Sequence, residues 1–466
     1  MVAVTRWFVY FAPMPTTTAF VHATVIDGLG GPPLRDGTIV VEEQRFSAVG
    51  TGDRTPVPPG AHVIDLRGRY VVPGFVNGNV HLLDGIMMMG VGGVEYLARH
   101  EGRLTQVIEE SAQVALKAGV TTVFDTWNAT GPVLAARDRI AAGAVPGARV
   151  FAAGNIVGFG GPFGADFHLA ASRVISPTFA GRMNRLFEAG VGPHLSLLPA
   201  REVRPVIRDY LARGVDMVKV GVTDHLTGIW GFERSYLMFS ERVLRVIAEE
   251  THAAGLPLLS HTMSVEGLRS ALDIGTNVLI HASITSQRPI PHELVGCTAG
   301  LQTVTSGYQG RLEASDSFWA MYGGGVHAAN EKLILEAGVP VMLGTDAGCT
   351  PRDVLADAGE DGDPERPWTL GTDHVAWARG ITEKGMTPTE AIAASTSAVA
   401  RAYGKQEELG SIMAGRRADL VVLRDDPLED VAALGTVVDV YQDGRRVDRD
   451  ALPLRPLVTA PTPARP

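Results

Sequence analysis

"VVPGFVNGNVHLLDG", residues 71–85, is an apolar segment that runs into a polar end. Its valines, its phenylalanine and its bracketing glycines predict a β-strand. Asn79 and His81, separated by one residue, lie near the end of that strand. Imidazole and amide groups at one strand end are candidate metal donors, so we ask whether this pair belongs to a metal site.

Short apolar segments like this one recur along the chain, and longer amphipathic segments that stop at glycine separate them. The strand candidates are YVVPGFVNG, GVTTVFDTW, ARVFAAGN, DMVKVGV, LPLLSHT, NVLIHAS, LQTVTSG and VPVMLGTDAG. The alternation predicts parallel strands joined by crossover helices, and the number of strands is the one that a TIM barrel needs. The predicted fold class is therefore α/β, with a (β/α)8 barrel at its centre.

Both ends of the chain differ from this central array. Residues 18–70 and 405–450 contain short strand patterns joined by Gly, Pro and Asp turns. We expect them to pair into one small β-sandwich-like domain, with the barrel, residues 71–404, inserted between its two parts. Residues 1–17 are expected to be a flexible extension, and the Pro-rich residues 451–466 a disordered tail.

Composition limits the class of protein and its partners. Of 466 residues, 45% are hydrophobic and 20% charged, which is typical of a globular enzyme and disfavours disorder or a coiled coil. A net charge of −10 argues against nucleic acid and against an anionic membrane as partners. Cys297 and Cys349 are too few for a disulfide framework and suit a reducing cytoplasm.

The N-terminus contains an apolar run, Trp7–Ala12, that could imitate a targeting signal. The run is shorter than the apolar region of a secretory signal and far shorter than a membrane span. We therefore expect a cytoplasmic protein, with Met14 as an alternative start. A weak export signal is the alternative interpretation.

Metal-capable residues follow several of the predicted strands, where a barrel of this kind places its active site. They are Asn79 and His81 on the first strand, Lys219 on the fourth, His261 on the fifth, His281 on the sixth and Asp346 on the eighth. A single histidine on an apolar strand is usually a core residue, but this convergence on one rim favours a metal site. Other histidines, expected at the surface or beside the site, are His225, His252, His292, His327 and His374.

These motifs resemble those of the amidohydrolase superfamily of metal-dependent hydrolases over nearly the whole chain. PGFVNGNVH corresponds to the family's opening motif PG[LF][IV]DxHxH, while LGTDAG and LGSIMAGRRADLVVL correspond to its strand-eight and C-terminal signatures. The order Lys, His, His, Asp is similar to the imidazolonepropionase-like and prolidase-like branch, in which a carboxylated lysine usually bridges two divalent metals. The resemblance implies that Lys219 is that lysine and that His81, His261, His281 and Asp346 are ligands.

The sequence departs from the family at Asn79, where the family has histidine, and at Asn77, where it commonly has aspartate. A neutral amide oxygen is a poorer ligand than imidazole for zinc or cobalt. We therefore predict one divalent metal per chain, with zinc favoured over cobalt, iron or manganese, and a second site that is weak or absent. The Asn-x-His pair resembles the phenylurea hydrolase and molinate hydrolase subgroup, which cleaves ureas and thiocarbamates. Drift at a dispensable ligand is the alternative.

The predicted reaction is hydrolysis of a small apolar urea, carbamate or thiocarbamate, such as a phenylurea herbicide, by a metal-bound hydroxide. Asp346 is expected to move the proton, His81 to stabilise the oxyanion and Lys219 to support the metal. The loops LLDGIMMMGVGG and HLTGIWGFERSYLMF would suit an apolar substituent or merely pack on the barrel. NIVGFGGPFG lacks the context of a phosphate loop, so no nucleotide is expected.

Two alternatives from other classes remain. A prolidase-like dipeptidase or N-acyl amino acid hydrolase would need a cation for the substrate carboxylate, and Arg234 is the candidate. A non-catalytic scaffold on a decayed barrel is the third interpretation, although the set of histidines and Asp346 disfavours it. Barrels of this kind commonly associate, so a homo-oligomer is expected.

Overall fold

The computed structural model describes residues 17–85, 92–164, 175–224, 237–286, 288–298, 303–306, 324–351, 353–354 and 368–460. In these ranges the strands are β1 Thr17–Val25, β2 Leu34–Glu42, β3 Arg45–Thr51, β4 His62–Asp65, β5 Tyr70–Pro73, β6 Phe75–Leu83, β7 Val120–Asp125, β8 Arg149–Ala152, β9 Ile156–Val157, β10 Val218–Gly221, β11 Leu258–His261, β12 Val278–Ile280, β13 Thr303–Ser306, β14 Val341–Leu343, β15 Ala347–Cys349, β16 Leu420–Leu423, β17 Val437–Gln442 and β18 Arg445–Arg446.

The helices lie mostly between the strands of the central part. They are α1 Gly93–His100, α2 Leu104–Lys117, α3 Thr130–Ala141, α4 Pro177–Glu188, α5 Ala200–Leu211, α6 Glu241–Ala253, α7 Val265–Asp273, α8 His292–Thr298, α9 Gly324–Glu336, α10 Asp373–Glu383, α11 Pro388–Ala394 and α12 Ser397–Ala402, with short 3-10 helices at Pro193–Leu197 and Val431–Gly435.

Side-chain caps fix where several of these helices begin. The Ser264 hydroxyl accepts a hydrogen bond from Gly267 N at 3.0 Å at the start of α7. At the start of α11, Thr387 and Glu390 bond to each other's backbone amide in a capping box. Each cap satisfies a backbone N–H that has no partner within its helix, which stabilises the helix by about 1 kcal/mol.

The two ends of the chain contribute to one eight-stranded sheet. Its order is β18-β17-β16-β5-β1-β2-β3, with β4 beside β1, and β5 pairs antiparallel with β16. Phe20 of β1 packs edge-on against Tyr441 of β17, with ring centroids 4.8 Å apart. Residues on either side of the central region therefore share one apolar core.

The central region forms two sheets of parallel strands, β14-β13-β12-β11-β10-β9 and β15-β6-β7-β8. Each of the eight strand candidates from the sequence contains or overlaps one of these strands, and the protein has mixed α/β content. All nine residues of β6 are buried, as expected for a parallel strand covered on both faces. The backbone amides of Thr345 and Asp346 both donate to Asn79 O at 2.9 Å, so the chain after β14 is joined to β6.

The tail that the composition predicts to be disordered makes specific contacts as far as residue 460. The buried Glu110 carboxylate of α2 accepts hydrogen bonds from the backbone amides of Leu457, Val458 and Thr459 at 2.7, 2.9 and 2.8 Å. The Val458 side chain is also buried. The prediction of disorder fails for residues 451–460 because it considers local composition, and the acceptor that orders them lies far away in sequence.

In the part of the chain given above, no helix has both the length and the apolar character needed to cross a membrane.

Candidate metal centre

Three side chains that follow strands of the two parallel sheets meet in one cluster. Asp346, three residues beyond β14, lies with Oδ1 3.2 Å from Nε2 of His81 on β6 and with Oδ2 3.3 Å from Nε2 of His281, just after β12. We call these three residues the rim cluster. They retain 9%, 6% and 8% exposure, so the cluster is buried but can still be reached from outside.

The backbone at two of these positions is unusual. His281 has φ 60° and Asp346 has φ 55°, which is the left-handed region that disfavours residues with a Cβ atom. Such conformations cost of the order of 1–3 kcal/mol and concentrate at binding and catalytic sites. The chain therefore turns sharply after β12 and after β14, immediately where the His281 and Asp346 side chains project.

The protonation states of the rim cluster suit metal binding. Burial lowers the pKa of His81 and lowers that of His281 to about 4. Burial alone would raise the pKa of Asp346, but the attraction of His281, His81 and Lys219 outweighs it and holds that pKa below its usual range. At neutral pH the cluster therefore presents two neutral imidazoles and one carboxylate, which are the forms that bind divalent cations.

Two further residues predicted for the site, His261 and Lys219, lie next to the rim cluster. The ring of His261, at the end of β11, packs edge-on against the ring of His281, with centroids 5.2 Å apart. Lys219 Nζ donates to Thr126 Oγ1 at 3.1 Å, and burial lowers the pKa of this lysine to about 8 against the opposing effects of Asp346 and Asp125.

Thr126 and Asp125 are site residues that the sequence analysis missed. Both follow the apolar residues of β7, in the quoted segment GVTTVFDTW, and a search for acids and hydroxyls as well as histidines at strand ends would have found them. The Thr126 hydroxyl donates to Asn79 Oδ1, and Asn79 Nδ2 donates to Asp346 Oδ1 at 2.6 Å. Asp125 Oδ2 accepts from Leu82 N at 2.9 Å, and burial raises the pKa of Asp125 to about 7.

Asn77 belongs to a different hydrogen-bond cluster. Its Nδ2 donates to Thr345 Oγ1 at 2.8 Å and to Asp373 Oδ2 at 3.0 Å, while Thr345 Oγ1 donates to the same Asp373 oxygen at 2.8 Å. All three residues are buried. Asp373 therefore supplies the carboxylate of this cluster, and Asn77 supplies an amide group that donates to it.

The remaining histidines fall into two groups. His252 and His292 are exposed, as expected for surface residues. His374 is buried beneath Phe75, and His327 of α9 lies with Nε2 3.5 Å from Glu331 Oε1. His225, Arg234 and most of the two Met-rich and aromatic loops lie outside the described residues.

The donor set fits a metal ion in its chemistry and in its pairwise spacing. Bonds of about 2.0–2.1 Å to a tetrahedral zinc ion place neighbouring donor atoms about 3.3 Å apart. The two histidine–carboxylate distances, 3.2 and 3.3 Å, match that spacing. Within the described ranges, however, no group of three or more His, Cys, Asp or Glu residues is arranged so that it could hold a metal ion.

Comparison with known proteins places this arrangement in a family. The sequence model of the amidohydrolase family matches residues 70–447, which include the rim cluster, His261 and Lys219. The chain belongs to the amidohydrolase family. The resemblance predicted from the motifs is thereby confirmed, and members of this family generally depend on divalent metals.

Two solved structures are similar to this amidohydrolase over almost its whole length. A molinate hydrolase is 50% identical with a TM-score of 0.92, covering 96% of this chain and 98% of that one. Phenylurea hydrolase B is 50% identical with a TM-score of 0.91, covering 96% of this chain and 100% of that one. The predicted resemblance to that subgroup is confirmed.

More distant relatives support the wider assignment. The ochratoxinase of Aspergillus niger is 26% identical over 444 residues, covering 89% of this chain and 83% of the relative. Imidazolonepropionases are also among the relatives, in agreement with the branch predicted from the order of ligands. Family and neighbours together make this amidohydrolase a hydrolytic enzyme that acts on carbon–nitrogen bonds other than peptide bonds, and the scaffold alternative is not supported.

Proposed function

We propose that this amidohydrolase hydrolyses the C–N or C–S bond of a small apolar urea, carbamate or thiocarbamate with one divalent metal held by the rim cluster. The observation that carries the proposal is the Asp346 carboxylate lying 3.2 and 3.3 Å from the Nε2 atoms of His81 and His281. The two neighbours at 50% identity, a molinate hydrolase and a phenylurea hydrolase, support the substrate class.

The ligands of the metal would be His81, His281 and Asp346, with His261 beside His281 as the candidate to complete the set. Zinc is the favoured ion because imidazole and carboxylate donors at tetrahedral spacing suit it. When bound, a divalent cation supplies Lewis acidity, which lowers the pKa of water and polarises a carbonyl group.

Asp346 would act as the proton carrier. Its Oδ1 accepts a hydrogen bond from Asn79 Nδ2 at 2.6 Å, and its Oδ2, 3.3 Å from His281 Nε2, would be the oxygen that takes the proton of the attacking water. The same oxygen can return that proton to the leaving nitrogen or sulfur. Lys219, whose Nζ donates to Thr126 Oγ1 at 3.1 Å, adds to the attraction of His281 and His81 that holds the pKa of Asp346 below its usual range.

The walls of the site support an apolar substrate. The ring of Trp127 lies edge-on to His81 with centroids 5.7 Å apart, and the ring of Phe159 lies edge-on to His261 with centroids 5.5 Å apart. Both aromatic side chains are buried. These buried rings make the surroundings of the two histidines apolar, which suits a substrate without charge, whereas the carboxylate of a dipeptide would need a cation.

The proposal includes the architecture that gathers these residues. We propose that the two parallel sheets are segments of one eight-stranded barrel, with β9 continuing the path of β8. The two hydrogen bonds from Thr345 and Asp346 to Asn79 O support closure between β14 and β6. The sheet built from both chain ends would be a separate small domain, and cytoplasmic location and homo-oligomerisation stay predictions.

A turnover screen tests the function. Purified protein is assayed with a phenylurea, a thiocarbamate, an Xaa-Pro dipeptide and an N-acyl amino acid, with Asp346→Asn as the inactive control. The proposal predicts turnover of the first two substrates and none by the control. Turnover of the dipeptide or the N-acyl amino acid alone would contradict it and would support the prolidase-like alternative.

A further inference from the structure

We propose that Thr126 is a positioning residue of the metal centre. By donating to Asn79 Oδ1, its hydroxyl orients the Asn79 amide so that Nδ2 holds Asp346. This inference rests on the proposed function, because it concerns how the rim cluster is held ready for a cation.

The donor and acceptor properties of the groups allow one direction for this chain of hydrogen bonds. An ionised carboxylate only accepts, so the amide NH₂ of Asn79 must be the group that faces Asp346 Oδ1 at 2.6 Å. The amide oxygen then faces Thr126, whose single hydroxyl proton goes to it. The Thr126 oxygen in turn accepts from Lys219 Nζ at 3.1 Å, which can only donate.

The Asn79 amide oxygen accepts the Thr126 proton with one of its two lone pairs. The sequence predicts Asn79 as a weak ligand because asparagine stands where the family has histidine. The contacts give the side chain a further role: with Oδ1 accepting from Thr126 and Nδ2 donating to Asp346, it positions the carboxylate of the rim cluster.

Asn79 also holds Asp346 through the backbone. Asp346 N donates to Asn79 O at 2.9 Å, and Asn79 Nδ2 donates back to Asp346 Oδ1 at 2.6 Å. This two-point connection fixes the residue whose φ of 55° is otherwise unfavourable. A rotated Asn79 amide would place its oxygen against the carboxylate, so the orientation set by Thr126 decides whether the connection exists.

Burial makes the Thr126 hydroxyl hard to replace. Thr126 is 0% exposed, and Asn79 and Lys219 are each 1% exposed. A buried acceptor that loses its donor is left unsatisfied when water cannot substitute, and this is unfavourable. Thr126→Val should therefore loosen Asn79 and, through it, Asp346, whereas Thr126→Ser keeps the hydroxyl.

Metal affinity tests this chain without relying on catalysis. Metal-free protein is titrated with zinc against a chromogenic chelator for wild type, Thr126→Val, Thr126→Ser and Thr121→Val. Thr121 is the matched control, because it is a buried threonine of β7 whose hydroxyl has no hydrogen-bond partner among the described residues. Loss of a group that orients a ligand typically weakens metal binding tenfold or more.

We expect Thr126→Val to weaken zinc binding about tenfold, with Thr126→Ser and Thr121→Val within about twofold of wild type. Unchanged affinity in Thr126→Val would overturn the inference, and so would equal losses in Thr126→Val and Thr126→Ser. Circular dichroism melting verifies that each variant is folded. If the wild type itself bound no zinc, the proposed function would fail together with the inference.

A double-mutant cycle with Asn79→Leu isolates the coupling between the two residues. If Thr126 acts through Asn79, Thr126→Val should weaken zinc binding about tenfold in the wild type and not further in the Asn79→Leu background. Additive losses would contradict the inference, because they would mean that Thr126 acts on the metal centre by a route that does not include Asn79.

Discussion

Two clusters of polar side chains lie at opposite ends of the parallel strands. One cluster pairs its carboxylates with guanidinium groups, and the other places a carboxylate beside neutral histidines. At the start of β8, Arg149 is paired with Asp419 at 2.9 Å and with Asp443 at 3.0 Å, and Asp443 also pairs with Arg417 at 2.9 Å. At the other end, the rim cluster sets a single carboxylate, Asp346, against two neutral histidines.

The difference separates a structural role from a chemical one. Burial alone would lower the pKa of Arg149, but attraction to Asp419 and Asp443 raises it, so the guanidinium stays charged. Its residues connect β8 with the two loops beside β16 and β17, and so join the central region to the sheet from the chain ends. In the rim cluster, the negative charge of Asp346 faces two neutral imidazoles. A cation bound among these three residues would balance that charge.

The largest expected effect comes from removing the carboxylate of the rim cluster. Asp346→Asn should lower kcat/KM for the accepted substrate about a thousandfold or more, because the proton carrier and an anionic ligand are both lost. The matched control is Asp443→Asn in the other cluster, which should retain activity. Steady-state kinetics measure both, and comparable losses in the two variants would remove the distinction between the clusters.

The next largest effect is expected from a substitution in the cluster around Arg149. Arg149→Met leaves the Asp419 carboxylate without its guanidinium partner, while Asp443 keeps Arg417, and loss of one member of a buried ion pair costs about 3–5 kcal/mol. Urea unfolding should show this loss of stability, while zinc affinity of the folded protein stays at the wild-type value. A variant as stable as wild type would contradict the role assigned to Arg149.

A smaller effect concerns Asn77, where the family commonly has aspartate. Asn77→Asp would place a carboxylate oxygen in the position of the Nδ2 atom, 3.0 Å from Asp373 Oδ2, and should destabilise the protein by about 2 kcal/mol. The exchange Asn77→Asp with Asp373→Asn should recover part of that loss. Chemical denaturation measures both, and no recovery in the double variant would show that the two positions are not a pair.

The smallest effect, per unit of pH, is a dependence of stability on pH that arises away from both clusters. Burial lowers the pKa of His100 in α1 to about 4, against 6.5 in the unfolded chain, so between these values the unfolded state binds a proton that the folded state lacks. The free energy of unfolding should therefore fall as the pH drops from 6.5 to about 4, by at most about 1.4 kcal/mol per pH unit from this residue. His100→Leu should reduce that slope in denaturation experiments at several pH values, and an unchanged slope would exclude His100 as its source.

Much of the fold is predictable because periodicity and glycine positions are local properties of the sequence. Every predicted central strand is present, and His81, His281 and Asp346 are brought together as expected from their positions after apolar segments. The connections between distant residues are not predictable in this way. Two such connections are the hydrogen bond from Thr126 to Asn79 and the contacts of Glu110 with the tail. Both depend on packing between segments that are far apart in sequence. In addition, a search restricted to the ligand types of the family does not consider threonine.

The most direct test of the central claim is a metal titration of chelator-stripped protein followed by phenylurea hydrolysis. If the rim cluster holds one divalent cation that supports the reaction, activity should be absent in the stripped protein and should rise with added zinc to a plateau at about one metal per chain. Full activity in the stripped protein, or zinc binding that is unchanged in a His81→Ala, His281→Ala double variant, would contradict the claim.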